Sequence, residues 1–325
     1  MKLKVIPAFL LCLCAMLLFS SALGEDVTLS VGGQVFSASP DAAEIDLGEM
    51  SLPDTDEAYA ALDAFLRKLP NLTHVDMFST DIPQNRLEAL AESFPQIEFG
   101  WTIYIPCRNE LRPDRGPHRI RTDQTAFSTL HNVSCTSHDE SVWRVLKYCK
   151  NLEALDIGHN NTLKDLSFLY DLPKLKVLVV SFNMSQKGDK TPLDITPIGS
   201  LKDLQYLEIC KSNVHDISPL ASCTSLVDLN ICTNRIKDLT PLYGLKSLRR
   251  LFVLSCMDHS GKPIPAKVFE PLKEALPDCM IDNKSINTGG PWKKHGRYQT
   301  LVNMFGYTTK TVVTKQAYIP FDSLD

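Results

Sequence analysis

The chain has 325 residues, 44% of them hydrophobic and 22% charged, with 14 Phe and 9 Tyr; this balance excludes a wholly disordered, collagen-like or multi-span membrane protein and leaves room for one large or two small domains. With 34 basic residues against 38 acidic ones, it lacks the positive excess that a general nucleic-acid binder concentrates on its surface. Charge is unevenly placed: within 282–325, Lys284, Lys293, Lys294, Arg297, Lys310 and Lys315 outnumber Asp282, Asp322 and Asp325, so a basic C-terminal segment follows an acidic body.

At the N-terminus, Lys2 and Lys4 precede an uncharged apolar run from Val5 to Phe19, and Ala22-Leu23-Gly24 places small residues where a signal peptidase reads. Residues 1–24 are therefore expected to be a signal peptide cleaved after Gly24, with an uncleaved anchor as the alternative. Either reading puts the body outside the cytoplasm, secreted or at the cell surface. No second long apolar run follows, so no membrane span is expected once the signal is removed.

Residues 25–102 read as N-terminal repeats with longer helices. Residues 25–44 are expected to cover one end, and Ile45-x-Leu47, Val75-x-Met77 and Ile97-x-Phe99 read as strands. Between the first two, Tyr59, Leu62, Phe65, Leu66 and Leu69 recur at helical spacing, and Leu87, Leu90 and Phe94 mark a second helix. From 103 to 125 the pattern lapses. That stretch, with Arg108, Arg112, Arg115, Arg119 and Arg121, is expected to be an excursion loop or a solvated linker. Phe127–Asn132 supplies a further strand, followed by the amphipathic Val142, Val145 and Leu146.

Residues 126–281 carry the clearest signal. Leu204, Leu226 and Leu248 are each 22 residues apart, inside Leu201-x-x-Leu204-x-x-Leu207-x-Ile209, Cys223-x-x-Leu226-x-x-Leu229-x-Ile231 and Leu245-x-x-Leu248-x-x-Leu251-x-Val253. Cys149-x-x-Leu152-x-x-Leu155-x-Ile157 and Leu172-x-x-Leu175-x-x-Leu178-x-Val180 fit the same frame. Each repeat then continues into Asp194-Ile195-Thr196-Pro197, Asp216-Ile217-Ser218-Pro219 or Asp238-Leu239-Thr240-Pro241; Asp165-Leu166-Ser167-Phe168 matches with Phe for Pro. Asp accepts backbone N–H groups and Pro suits the opening of a helical turn, so each repeat reads as strand, bend and tight turn. Leu272–Leu276 and Cys279–Ile281 are expected to close the array, for about nine strands in all. Residues 282–325 follow as a basic cap or tail, with an aromatic-rich helix over Trp292–Tyr307.

This pattern resembles the leucine-rich repeat family, in the 22-residue form found in bacterial surface proteins of the internalin type. The resemblance implies an α/β solenoid, a leucine-rich repeat horseshoe with a parallel concave β-sheet and helices or short helical turns on the convex side. It also implies that Asn160, Asn183, Ser212, Asn234 and Cys256, three residues after each Leu-x-apolar pair, form an inward-facing structural ladder that satisfies buried backbone groups. It implies a recognition scaffold without naming a ligand.

In that frame, residues flanking the buried Leu face the concave side: Val177 and Val179, Tyr206 and Glu208, Asp228 and Asn230, Arg250 and Phe252. Aromatic and Arg groups among carboxylates suit a protein-contact face, and these eight are the candidate binding residues for a protein partner. An alternative reading is an envelope spacer held by the basic tail, through Lys293, Lys294 and Arg297 beside Trp292 and Tyr298. A minor one is a Cys/His- or zinc-dependent hydrolase built on His131, Cys135, His138 and Asp139, which lack paired Cys-x-x-Cys spacing. No phosphate loop, dinucleotide fingerprint, nucleophile elbow or His-Glu-x-x-His occurs, so the expectation is a non-catalytic protein with no cofactor and no metal. Of the cysteines, Cys149, Cys223 and Cys256 read as buried thiols, while Cys210 with Cys232, and Cys107 with Cys135, are the pairs weighed as disulfides.

Overall fold

The computed structural model describes residues 25–105, 118–129, 140–160, 163–182, 191–254, 256, 264–284, 290–307 and 316–322. The expected signal segment, Asn183, Cys107, Cys135 and the His131, Cys135, His138, Asp139 cluster lie outside the described residues. Two compact units divide between Ile103 and Tyr104.

The first unit opens with an antiparallel hairpin, β1 (Val27–Val31) and β2 (Gln34–Ala38). Gly32 and Gly33 turn it at φ of 56° and 77°, a conformation that only residues without a Cβ adopt cheaply in succession. A three-stranded parallel sheet follows, made of β3 (Glu44–Asp46), β4 (His74–Asp76) and β5 (Glu98–Gly100), with Ile45, Val75 and Phe99 in register and buried. Helix α1 (Asp56–Leu66) starts at Thr55, whose hydroxyl accepts the Ala58 N–H at 3.3 Å, and Asp56 and Glu57 occupy its positive end. It buries Leu62, Phe65 and Leu66, while α2 (Gln84–Ser93) buries Leu87 and Leu90. The helices expected from the apolar spacing are thus present.

Within the stretch 103–125, expected to be an excursion loop or solvated linker, the described residues instead include strands β6 (Thr102–Ile105) and β7 (His118–Arg121), with Ile105 and Ile120 buried and the Arg119 guanidinium 5.5 Å over the Tyr104 ring. The second unit is then built on a seven-stranded parallel sheet in simple chain order: β8 (Ala126–Ser128), β9 (Ala154–Asp156), β10 (Val177–Val179), β11 (Tyr206–Glu208), β12 (Asp228–Asn230), β13 (Arg250–Phe252) and β14 (Met280–Asp282). Leu155, Leu178, Leu207, Leu229 and Leu251 stand in register and are fully buried, each worth about 1.5–3 kcal/mol relative to exposure. This is the leucine-rich repeat fold.

On the other side of the repeats, short 3-10 turns at Ser167–Asp171, Thr196–Ser200, Ser218–Ser222 and Thr240–Leu242 replace helices. A repeat of 22 residues has no length left for more than one such turn once strand and bends are placed. Asp165, Asp194, Asp216 and Asp238 each accept the N–H two residues on, at 2.8–2.9 Å, and Pro197, Pro219 and Pro241 open the turns. The last repeat has room for α3 (Phe269–Ala275).

The strands end in left-handed bends at His159, Phe182, Lys211 and Thr233, with φ of 53–62°. Each bend donates its N–H to the next repeat, to Ser181, Cys210, Cys232 and Leu254 respectively. Immediately after, the ladder takes over. Asn160 donates to Ile157 O at 2.6 Å, Ser212 to Val180 O at 2.8 Å, and Asn234 to Ile209 O and Ile231 O at 2.8 and 2.9 Å; Cys256 Sγ reaches Ile231 O at 3.0 Å. Asn234 also accepts the Ser212 and Val214 N–H groups, so its amide stitches two repeats together.

Candidate functional site

The two outward rows of the seven-stranded sheet follow from strand register. One runs Ala126, Ala154, Val177, Tyr206, Asp228, Arg250, Met280, and the other Ser128, Asp156, Val179, Glu208, Asn230, Phe252, Asp282. All eight candidate binding residues therefore lie on one face, as the alternation of a strand requires. Most of them are closed off from bulk water. Seven of them are buried, Glu208 is half-buried, and Asp228 is 0% exposed.

What covers them is the C-terminal segment, expected from its composition to be a basic cap or tail. Helices α4 (Gly290–Lys294) and α5 (Gly296–Phe305) and residues 316–322 pack on this face. Trp292 stands 5.3 Å from Tyr206 and 5.0 Å, edge-on, from Phe252, and the Arg250 guanidinium lies 4.5 Å over its ring. Its indole N–H donates to Glu208 Oε1 at 2.7 Å. Arg297 pairs with Asp228 through Nε, and its guanidinium lies 3.8 Å over the Phe321 ring. Further along, the Tyr307 hydroxyl donates to Asp156 Oδ2 at 2.5 Å, Gln316 Oε1 accepts the Ser128 N–H at 2.7 Å, and the Tyr318 N–H reaches Thr125 Oγ1 at 3.0 Å. Leu301, Met304 and Phe305 are buried in one apolar cluster with the small Ala126 and Ala154. The basic and aromatic residues assigned to an envelope-contacting tail thus divide: Trp292 and Arg297 are buried against the sheet, whereas Lys293 and Lys294 stay exposed.

Burial sets the protonation chemistry. It pushes the Asp156 carboxyl up against the opposing pull of its bonds to Tyr307, Gly158 and Ser128, and it pushes Glu208 up against those to Tyr206 and Trp292. Tyr206 and Tyr307 are driven well above the usual phenol value by burial first and by Glu208 and Asp156 second. Cys210 is pushed to about 11 by burial and Cys232 higher still, so these thiols are poor nucleophiles. Cys210 and Cys232, weighed as a disulfide, are free thiols, as are Cys149, Cys223, Cys256 and Cys279. Among the described residues, no group of three or more His, Cys, Asp or Glu side chains is placed to hold a metal ion, and no helix is long and apolar enough to cross a membrane.

Sequence reasoning overlooked Asp156, Tyr307, Gln316 and Phe321. Asp156 occupies the same row as Glu208 and was identifiable from the register; the covering residues were signalled only by the opposite charge of body and tail.

No protein-family model matches the chain, and no curated protein matches it in sequence. Among solved structures it is similar to an internalin C2 of Listeria monocytogenes, at 20% identity over 70% of this chain and 84% of that one, with a TM-score of 0.36. A second Listeria monocytogenes internalin shares 18% identity over 69% of this chain and 66% of its own length, with a TM-score of 0.32. A leucine-rich repeat protein of Leptospira interrogans shares 19% over 74% and 54%, with a TM-score of 0.34.

Proposed function

We propose that the chain is an extracytoplasmic, non-catalytic scaffold for protein–protein recognition through the concave face of its repeats. The observation that carries this reading is the seating of a polypeptide segment on that face through an indole, a guanidinium and a phenol. Val177, Val179, Tyr206, Glu208, Asp228, Asn230, Arg250 and Phe252 then act as the contact residues, with aromatic and Arg anchors among carboxylates. The N-terminal signal-like segment supports a secreted or cell-surface location.

The test is capture from surface and culture-fluid extracts by the full chain, followed by reconstitution with the purified partner. Competition by a synthetic peptide of residues 290–307 reports the face used. A partner displaced by the peptide is the expected result; a partner held equally with and without it moves recognition away from this face.

A further inference from the structure

The carboxylates beneath the C-terminal segment share one property: each is already bonded from the sheet side. Asp228 holds Arg250 Nε at 2.7 Å on the neighbouring strand. Glu208 accepts the Tyr206 hydroxyl. Asp156 accepts Ser128 Oγ and the Gly158 N–H, both at 3.0 Å. The C-terminal segment adds one donor to each, from Arg297, Trp292 and Tyr307. Lifting it off therefore leaves no carboxylate orphaned, and the face keeps its shape in readiness.

A permanent cover has no need of this arrangement. Buried ion pairs are commonly replaced by apolar side chains with no loss of stability, whereas contacts that form and break within a chain are more polar than a core. Here three carboxylates and two arginines sit in the contact, around an apolar floor of Ala126, Ala154, Val177 and Val179. The floor receives the apolar side of α5, and the charged part receives Trp292 and, five residues further on, Arg297.

We infer that this face is a preorganised binding site for a peptide segment presenting an indole N–H, a guanidinium five residues beyond it and an apolar helical side, with residues 290–307 and 316–322 as its intramolecular occupant. The inference rests on the recognition reading above and names the chemistry of the partner: an external segment with Trp and Arg at that spacing. Its own tail holds the site against weaker competitors, lowering the apparent affinity of any outside segment by the fraction of molecules that are open.

The experiment uses the full chain and its Trp292→Ala/Arg297→Ala variant, with a fluorescein-labelled peptide of residues 290–307 followed by anisotropy. The variant alters only the occupant. It should bind the peptide at least about tenfold more tightly than the wild type, adding Asp228→Asn should reverse the gain, and a peptide with both Trp and Arg replaced by Ala should not bind. Equal weak binding to wild type and variant overturns the inference. So does loss of the cooperative unfolding transition in the variant, which would make the segment part of the core. Either failure leaves the extract capture able to find a partner on another surface, while capture that fails beside successful peptide binding retires the recognition reading alone.

Discussion

The two parallel sheets carry the same local motif and put it to different use. Ile45-Asp46-Leu47-Gly48 in the first and Leu155-Asp156-Ile157-Gly158 in the second each fold an Asp back onto the Gly N–H, at 2.8 and 3.0 Å. Asp46 is exposed, together with Glu44 and Glu98 on its face, whereas Asp156 is 0% exposed beneath Tyr307. The repeat fixes the turn, and the segment lying over the face fixes the solvation and ionisation. A strand-level motif is therefore silent about whether its outward side chains are a surface or a buried polar layer.

The sharpest way to break this comparison is to remove an outward Asp from each sheet. Asp228→Ala leaves Arg250 and Arg297 buried without their carboxylate and should cost about 3–5 kcal/mol. Asp46→Ala, which removes an exposed carboxylate that accepts the Gly48 N–H, should cost its unit no more than about 1 kcal/mol. Urea unfolding read by hydrogen exchange in each unit distinguishes the two. Equal small effects would mean that Asp228 carries no more than a surface charge does.

This difference marks where the sequence was legible. Leu155, Leu178, Leu207, Leu229 and Leu251 announce themselves because one period of repetition places them all in the same layer, and Asp194-x-x-Pro197 and its equivalents announce the turn for the same reason. The eight outward residues follow by alternation alone. Their cover does not, because Trp292 meets Glu208 across 84 positions and nothing in Trp292-Lys293-Lys294 states which surface it packs on. Only the charge contrast between body and tail hinted at it. The ladder at Asn160, Ser212, Asn234 and Cys256 was an expectation from the family resemblance rather than from the residues alone, and those four side chains do reach neighbouring backbone carbonyls.

The second comparison is of pH response. Asp156 and Glu208 have raised folded-state values, so their contribution is fully present below the ordinary carboxylate pKa and is lost as pH rises through the raised ones. Asp81 in the first unit is held low by the Ser51 hydroxyl and the Leu52 N–H, so its contribution is present above its unfolded value and is lost as pH falls. Over the window in which pH rises through those raised values the closed face should loosen while the Asp81 contact is unchanged. Exchange of the Trp292 indole N–H, corrected for base catalysis, should quicken over that window. Constant or growing protection would sink the prediction.

Smaller and more evenly matched effects belong to the turns. Thr55→Ala removes the N-cap bond of α1, and Asp216→Ala removes the acceptor of the Ser218 N–H and hydroxyl. Each should cost about 1 kcal/mol, felt only in its own unit. A loss in both units from either change would join what the compact division keeps apart.

The smallest effect has the opposite sign. Among the described residues, every non-Gly position with positive φ lies in the second unit, and Thr233, at 58°, is β-branched. A branched Cβ in the left-handed region crowds the following carbonyl, at about 1–2 kcal/mol relative to the right-handed form. The bend cannot relax because the Thr233 N–H is tied to Leu254 O at 2.8 Å. Asn tolerates this conformation through local hydrogen bonding, so Thr233→Asn should stabilise the seven-stranded unit by about 0.5–1 kcal/mol. The gain should appear as slower exchange of the Ile231 and Thr233 amides, with none in the first unit. A loss of stability instead would mean that the threonine methyl packs at the strand end strongly enough to outweigh its backbone strain.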